Sequence, residues 1–170
     1  MKAYLDIETS FDGAITVVGV YRKDLGLVQL VGEQVTAANL AQALEGVDTI
    51  CTYNGSRFDL PVLRRCLGVC LEETYRSHDL MYDCWRQGLY GGLKGVERQL
   101  GIGRQTQDID GWDAMRLWQA YADWGDEEAL TVLLDYNRED VLNLLVLEHC
   151  LAALPEEAPY DQPQDSASTP

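Results

Sequence analysis

The chain has 170 residues, 46% of them hydrophobic, and carries 28 acidic against 13 basic residues for a formal net charge of -15. This length predicts one domain with a sizeable core. So negative a charge argues against nucleic acid as a partner, unless bound divalent cations supply the positive charge. No apolar run reaches membrane-spanning length, and no signal peptide precedes the first predicted strand, so we expect a soluble, cytoplasmic protein.

Hydrophobic periodicity predicts strands interleaved with helices. Five strands are predicted, over residues 3–9, 14–22, 27–31, 47–53 and 75–81. Five helices are predicted, over residues 37–45, 59–67, 93–100, 112–124 and 127–154. The first three strands form an antiparallel meander and the later ones are parallel, so the fold class is α/β, with a mixed central sheet of about five strands flanked by helices.

The C-terminal residues differ in composition from the rest of the chain. Residues 155–170 are rich in Pro, Ser, Gln and acids, which predicts a disordered tail after a single domain over residues 1–154. The cysteine count is odd, and the spacing matches no zinc or disulfide pattern, so we expect reduced thiols used as small apolar residues. His78 and His149 do not complete a ligand set in the sequence pattern.

Two carboxylates interrupt the first predicted strand, within Tyr4-Leu5-Asp6-Ile7-Glu8-Thr9. Alternation along a strand places Asp6 and Glu8 on one face and apolar residues on the other. Neighbouring carboxylates repel and have raised pKa values unless a cation lies between them. The pair is therefore either an exposed strand edge or half of a metal site.

Two further acids lie at positions that allow either a structural or a functional interpretation. Asp59 follows Asn54-Gly55-Ser56-Arg57-Phe58 at a strand-to-helix junction, where it is a helix N-cap or a metal ligand. Tyr136 and Asp140 are one turn apart on the last helix and share one face. That face is a solvated stripe or part of a site.

Together these motifs resemble the DEDD (DnaQ-like) superfamily of 3′–5′ exonucleases, in its tyrosine-bearing branch and closest to the YprB-like ribonuclease H-like domains. The resemblance covers roughly residues 1–152. It rests on Asp6-Ile7-Glu8-Thr9, on Asn54 to Leu60, on Tyr136-Asn137-Arg138-Glu139-Asp140, and on a connector from Gly92 to Ile102. It implies a ribonuclease H-like fold and hydrolysis of single-stranded DNA or RNA from the 3′ end to 5′-mononucleotides.

The resemblance also implies the cofactors and the role of each catalytic residue. Two divalent cations, Mg²⁺ or Mn²⁺, would be bound by Asp6, Glu8, Asp59 and Asp140. Asp6 would contact both ions, Glu8 and Asp140 would complete the site that holds the attacking water, and Asp59 would serve the second ion. Tyr136 would orient or deprotonate that water.

Substrate contacts are implied near the second motif. Asn54 and Thr9 would hold the terminal nucleotides, Arg57 with its neighbours Arg64 and Arg65 would meet phosphates or form a solvated helix face, and Phe58 would stack on a base or belong to the core. The tryptophans are expected in the core, and Asp79 is expected to have a structural role.

Two alternatives remain open at this point. The chain could be a non-catalytic ribonuclease H-like module that binds nucleic acid or protein, or a phosphodiesterase for small oligonucleotides. No motif distinguishes DNA from RNA, because no residue is marked for a 2′-hydroxyl contact.

Overall fold

A computed structural model of the protein describes residues 1–155. The strands are β1 Lys2–Thr9, β2 Ile15–Arg22, β3 Gly26–Val31, β4 Thr49–Thr52 and β5 Arg76–Asp79. The helices are α1 Ala37–Ala43, α2 Asp59–Leu67, α3 Leu80–Arg86, α4 Leu93–Leu100, α5 Gly111–Trp124 and α6 Glu127–Ala153. Short 3₁₀ turns occur at Gly32–Gln34 and Leu71–Glu73.

The five strands form one mixed sheet in the order β3-β2-β1-β4-β5. The pairs β1–β2 and β2–β3 are antiparallel, and the pairs β1–β4 and β4–β5 are parallel. The fold class predicted from the sequence is therefore confirmed, including the meander and the switch to parallel strands.

The segment after β4 differs from the prediction. β5 ends at Asp79, which is the N-cap of α3, a helix that was not predicted. The Asp79 carboxylate accepts a hydrogen bond from the Met81 backbone N–H at 3.2 Å and so caps this helix. Asp79 also accepts hydrogen bonds from the backbone N–H groups of Asn54 and Ser56, at 2.7 and 3.1 Å. It thereby fixes the loop after β4, which agrees with the structural role expected for this acid.

The two faces of β1 pack against different layers. Leu5 and Ile7 belong to a core shared with residues of α1 and α2. Tyr4 faces the opposite layer, in a core shared with residues of α3, α4 and α6. The alternation predicted for β1 is therefore present, and it turns Asp6 and Glu8 toward the layer that contains α6.

Gly19 lies where α6 packs closely against the sheet. It lies on β2 directly opposite Asp6 of β1. A Cβ atom at this position would overlap the Asn137 side chain and lie 2.7 Å from Cγ2 of Val141, both on α6. Asn137 in turn donates a hydrogen bond to the Asp6 carboxylate at 3.1 Å. The missing side chain of Gly19 therefore permits the contact between α6 and β1.

Most of the predicted tail lies outside the described residues, which end at 155. None of the helices within residues 1–155 combines the length and the apolar character needed to cross a membrane.

We predict that Gly19→Ala lowers the free energy of unfolding by about 1–3 kcal/mol, because the added methyl group overpacks the contact between β2 and α6. Chemical denaturation measures the change. Gly103→Ala is the matched control, since a Cβ there meets no atom within 4 Å. Equal stability of Gly19→Ala and the unaltered protein would contradict the close approach of α6.

Candidate active site

The site begins with the two acids of β1. Glu8 is buried and Asp6 is partly buried, and both face α6. Oε1 of Glu8 has no hydrogen-bond partner among residues 1–155, although it is buried. A buried carboxylate oxygen without a donor is costly, and a bound cation would compensate this cost.

Helix α6 adds Tyr136 and Asp140, both buried. They lie one turn apart, so both side chains project toward β1. Asp6, Glu8 and Asp140 each offer a carboxylate oxygen, and these three oxygens lie within 4.8 Å of one another. A ligand set made only of carboxylate oxygens is the kind that Mg²⁺ and Mn²⁺ prefer, so these residues fit a hard divalent cation.

Asp59 reaches the same site from α2. It is the first residue of that helix, not its N-cap, which is Phe58. Its carboxylate accepts a hydrogen bond from the backbone N–H of Ile7 at 3.0 Å and is buried. The interpretation of Asp59 as a helix N-cap is therefore wrong. Its side chain points to β1 and contacts the backbone of Ile7, the residue between Asp6 and Glu8.

Burial and mutual repulsion raise the pKa values of these acids. Loss of hydration is the largest cause for each, and the nearby charges of Asp140, Glu8 and Asp59 raise the pKa of Asp6 further. The pKa of Glu8 is likewise well above its ordinary range. Burial raises the pKa of Asp59 to about 7, although the hydrogen bond from Ile7 opposes the shift. Without cations the site therefore retains protons near neutral pH.

Arg104 is the cation that the structure places beside these acids. Its guanidinium pairs with Asp140 and with Glu97, at 2.9 Å between Nε and Oε2 of Glu97, and its side chain is 2% exposed. Asn143 of α6 donates a hydrogen bond to Oε1 of Glu97 at 2.9 Å. This network fixes one oxygen of Asp140 and joins the loop after α4 to α6.

A cleft of about 500 Å³ opens over the acids. Its walls are formed by Asp6, Ile7, Glu8, Thr9, Tyr53, Asn54, Phe58, Asp59, Gly111, Trp112, Met115, Tyr136 and Asp140. All five residues predicted to be catalytic are in this set. So are three of the four predicted substrate contacts, Thr9, Asn54 and Phe58.

The fourth predicted contact, Arg57, does not line the cleft. Its guanidinium lies over the rings of Tyr82 and Trp85, at 6.0 and 5.4 Å from their centroids. Among its neighbours, Arg65 donates to the carbonyl of Gly13 at 2.8 Å. The basic cluster read from the sequence is thus partly engaged by other groups of the chain.

The aromatic residues of the cleft correct two expectations. Phe58 is 44% exposed and Trp112 is 63% exposed, so neither is a core residue. Trp124, at 84% exposure, is not in the core either. Trp112 was missed because a tryptophan on an amphipathic helix is usually buried, and only the position of the α5 N-terminus over β1 reveals its exposure.

Two basic residues near Tyr136 were also missed. Nζ of Lys94 lies 4.8 Å from the centroid of the Tyr136 ring, and the Arg104 guanidinium lies 5.7 Å from it. Lys94 belongs to the connector motif quoted above, which could have drawn attention to it. Arg104 lies in an irregular loop, and no sequence pattern marks it.

The chain has a five-stranded mixed sheet flanked by helices, with carboxylates grouped over its first strand, and a family comparison assigns this arrangement to a nuclease-type, ribonuclease H-like fold. The model of the RNase H superfamily matches residues 3–152, and the chain belongs to that superfamily.

Among solved structures, the chain is similar to the family B DNA polymerase from the hyperthermophilic archaeon Pyrobaculum calidifontis, with a TM-score of 0.69 and 18% identity. The match covers 89% of this chain and 24% of the polymerase, so it shows a shared fold with part of a longer protein. A comparison with curated proteins gave no match. The ribonuclease H-like assignment is confirmed, and the tyrosine-bearing branch stays a prediction.

We predict that Asp6→Asn stabilises the metal-free protein at pH 8 by roughly 1–3 kcal/mol, since each tenfold change in a carboxyl acidity constant is about 1.4 kcal/mol. Asn at this position can still accept the hydrogen bond from Asn137. Because the pKa values of the acids are raised in the folded state, the stability they contribute is present at low pH and lost as the pH rises through those values. The gain should therefore shrink at pH 5.

Denaturation in a chelating buffer at the two pH values measures this difference, and added Mg²⁺ should stabilise the unaltered protein more than the variant. Asp123→Asn, an exposed acid on α5, is the control. A variant that is less stable than the unaltered protein at pH 8 would return Asp6 to a purely structural role.

Proposed function

We propose that the protein is a metal-dependent 3′–5′ exonuclease of the tyrosine-bearing DEDD branch, which hydrolyses single-stranded nucleic acid to 5′-mononucleotides. The observation that carries the proposal is the grouping of Asp6, Glu8 and Asp140 within 4.8 Å, beside Tyr136 and inside an open cleft. The 3′–5′ polarity rests on the order of the motifs, and membership of the RNase H superfamily supports the nuclease class.

Each acid has a proposed role in binding two divalent cations, Mg²⁺ or Mn²⁺. Asp6, Glu8 and Asp140 would hold one ion, and Asp59 would serve the second together with Asp6. The chemistry supplied by such ions is a lowered pKa for the attacking water and neutralisation of the charge on the phosphoryl oxygens. The orphaned Oε1 of Glu8 and the raised pKa values of these acids support this assignment.

The environment of Tyr136 favours orienting the water over removing its proton. Burial is the largest cause that raises the pKa of the phenol, and the charges of Asp140 and Glu8 add to it. In that environment the hydroxyl keeps its proton and can donate a hydrogen bond. The cationic groups of Lys94 and Arg104 lie against the ring and fix its position.

Arg104 has a proposed positioning role. By pairing with one oxygen of Asp140 it sets the direction of the carboxylate, and Glu97 on its other side limits how far Arg104 can neutralise the site. The other Asp140 oxygen is left for a cation. Hydrogen-bonded support of this kind commonly determines the orientation of metal-binding carboxylates.

The cleft suits the flexible end of a single strand. Phe58 and Trp112 offer exposed aromatic rings on which unpaired bases can stack, and Asn54 and Thr9 add polar groups. The backbone at Asn54 has φ 60, a left-handed conformation that Asn tolerates, and its N–H is held by Asp79. The hydrogen bonds from Asn54 and Ser56 to Asp79 therefore fix the loop that carries Phe58 to the end of β5.

We predict that the protein with Mg²⁺ or Mn²⁺ releases mononucleotides at once from a 3′-labelled single strand and progressively shortens a 5′-labelled one. Asp140→Asn should lower kcat roughly 1,000-fold or more, because several kcal/mol of transition-state stabilisation are lost. Asp6→Asn should do the same, while Asp123→Asn should retain activity.

The assay compares four candidate substrates: single-stranded DNA, single-stranded RNA, a duplex and dinucleotides. Cleavage of dinucleotides alone would favour the small-oligonucleotide phosphodiesterase. Binding of single strands without release of any nucleotide, in either metal, would favour the non-catalytic module and contradict the enzyme.

We predict that Phe58→Ala raises KM for single strands by about tenfold, since stacking of one base on an aromatic ring contributes about 1–3 kcal/mol. Phe58→Tyr should retain most of the affinity. Tyr90→Ala removes an even more exposed ring that does not line the cleft and serves as the control. Steady-state kinetics on a short oligonucleotide measure the effect, and an unchanged KM in Phe58→Ala would place the bases elsewhere.

A further inference from the structure

A second group of potential ligands lies on the same face of the sheet, near its β5 edge. The parallel pairing of β4 and β5 sets Cys51 directly beside His78. Glu148 projects toward them from α6, two turns beyond Asp140, or about 12 Å along the helix at 1.5 Å per residue. The three residues come from distant parts of the chain, so sequence spacing does not reveal the group.

The ligand atoms of these three residues converge. Nδ1 of His78 lies 3.8 Å from Sγ of Cys51 and 3.5 Å from Oε1 of Glu148, and Sγ lies 4.0 Å from the same oxygen. With metal–ligand bonds of about 2.0–2.3 Å, neighbouring ligands of a tetrahedral zinc ion are roughly 3.4–3.6 Å apart. A small inward movement of the side chains would therefore complete the geometry.

The hydrogen bonding of His78 also supports metal binding by this group. Its Nε2 lies 2.6 Å from Oδ2 of Asp83, so a proton on Nε2 is donated to that carboxylate. In the neutral imidazole the lone pair of Nδ1 then faces Oε1 of Glu148 at 3.5 Å, and a metal ion between these two acceptors would be bound by both. A carboxylate behind a histidine is the usual arrangement that orients a zinc-binding imidazole.

We propose that Cys51, His78 and Glu148 form a zinc site, with Asp83 as the carboxylate that orients His78. Binding releases the proton of the Cys51 thiol to solvent and leaves the metal bound by the thiolate, Nδ1 and a carboxylate oxygen. His78 and Glu148 line a cleft of about 490 Å³, which gives a solvent molecule access to the fourth position.

Two residues hold the Glu148 carboxylate when the metal is absent. Nζ of Lys2 donates to Oε1 at 2.6 Å, and the hydroxyl of Tyr4 donates to Oε2 at 2.6 Å. Lys2 therefore competes with the metal for the same oxygen, whereas Tyr4 keeps the carboxylate in place. The Lys2 side chain is 48% exposed and can move into solvent.

The zinc site would join α6 to β4 and β5, two turns C-terminal to the cleft residue Asp140. It would thus stabilise the packing of the helix that carries Tyr136 and Asp140. This role goes beyond the proposed nuclease activity, and its test does not require that activity.

Cobalt(II) titration of the full chain tests the proposal, with a non-thiol reductant and excess Mg²⁺ present to occupy the carboxylate site. We expect one equivalent of Co²⁺ to give a thiolate-to-cobalt charge-transfer band that Zn²⁺ removes by displacement. The band should disappear in Cys51→Ser and in His78→Ala, and Asp83→Asn should weaken affinity by about 10–100-fold. Cys84→Ser, which alters another buried thiol, should retain it.

Lys2→Ala is a control for the possibility that Cys51→Ser and His78→Ala lose the band because they misfold. We expect it to tighten metal binding by roughly two- to fivefold, because a partly exposed ion pair contributes at most about 1 kcal/mol. A disrupted fold cannot produce tighter binding. Zn²⁺ should also raise Tm of the unaltered chain and of Asp6→Asn equally, which separates this site from the nuclease site.

The absence of a charge-transfer band in the unaltered chain would overturn the proposal, as would a band that survives Cys51→Ser. Unchanged or weaker binding in Lys2→Ala would overturn it as well. In those cases His78 is an imidazole or imidazolium held between Asp83 and Glu148, and the group is an ordinary hydrogen-bond network.

Discussion

The structure depends on how closely α6 packs against β1 and β2. Gly19 leaves room for Asn137 and Val141, and Asn137 donates a hydrogen bond to Asp6. Together with the buried apolar residues of α6, this contact orients the helix on the sheet. The same helix brings Tyr136 and Asp140 to the acids of β1 and, two turns later, Glu148 to Cys51.

The same packing gathers acids whose ionised forms destabilise the fold when no cation is bound. Burial raises the pKa of Asp6, Glu8, Asp59 and Asp140, and Arg104 is shared with Glu97. Within the described residues, the ionised cluster therefore has more negative than positive charge. A fold that keeps such a cluster is arranged for cations from solution. Under the proposed function the net charge of -15 no longer argues against nucleic acid, because bound ions would reverse the sign of the potential at the acids.

Features that depend on a repeating pattern or on a fixed residue spacing could be predicted from the sequence. Alternation along β1 predicted the faces of Asp6 and Glu8, and the one-turn spacing predicted that Tyr136 and Asp140 share a face. The sequence did not predict α3, because a seven-residue helix directly after a strand has too few turns to show a periodicity. The exposure of Phe58 and the position of Arg104 depend on tertiary contacts, which the sequence pattern does not show. Phe58 is exposed because Asp79 holds the loop after β4. Arg104 lies beside Asp140 because an irregular loop without a sequence pattern carries it there.

The two groups of ligands on α6 differ in the chemistry of their donor atoms, and this difference is what allows one helix to serve both. The nuclease group offers only carboxylate oxygens, which suit hard ions that exchange their ligands readily. The second group offers a thiol, an imidazole and one carboxylate, which suit zinc and bind Mg²⁺ poorly. Under the two proposals, ions of the two classes would therefore select different positions on α6, two turns apart, so that a structural ion at Glu148 would leave the oxygens at Asp140 free for the ions of the reaction.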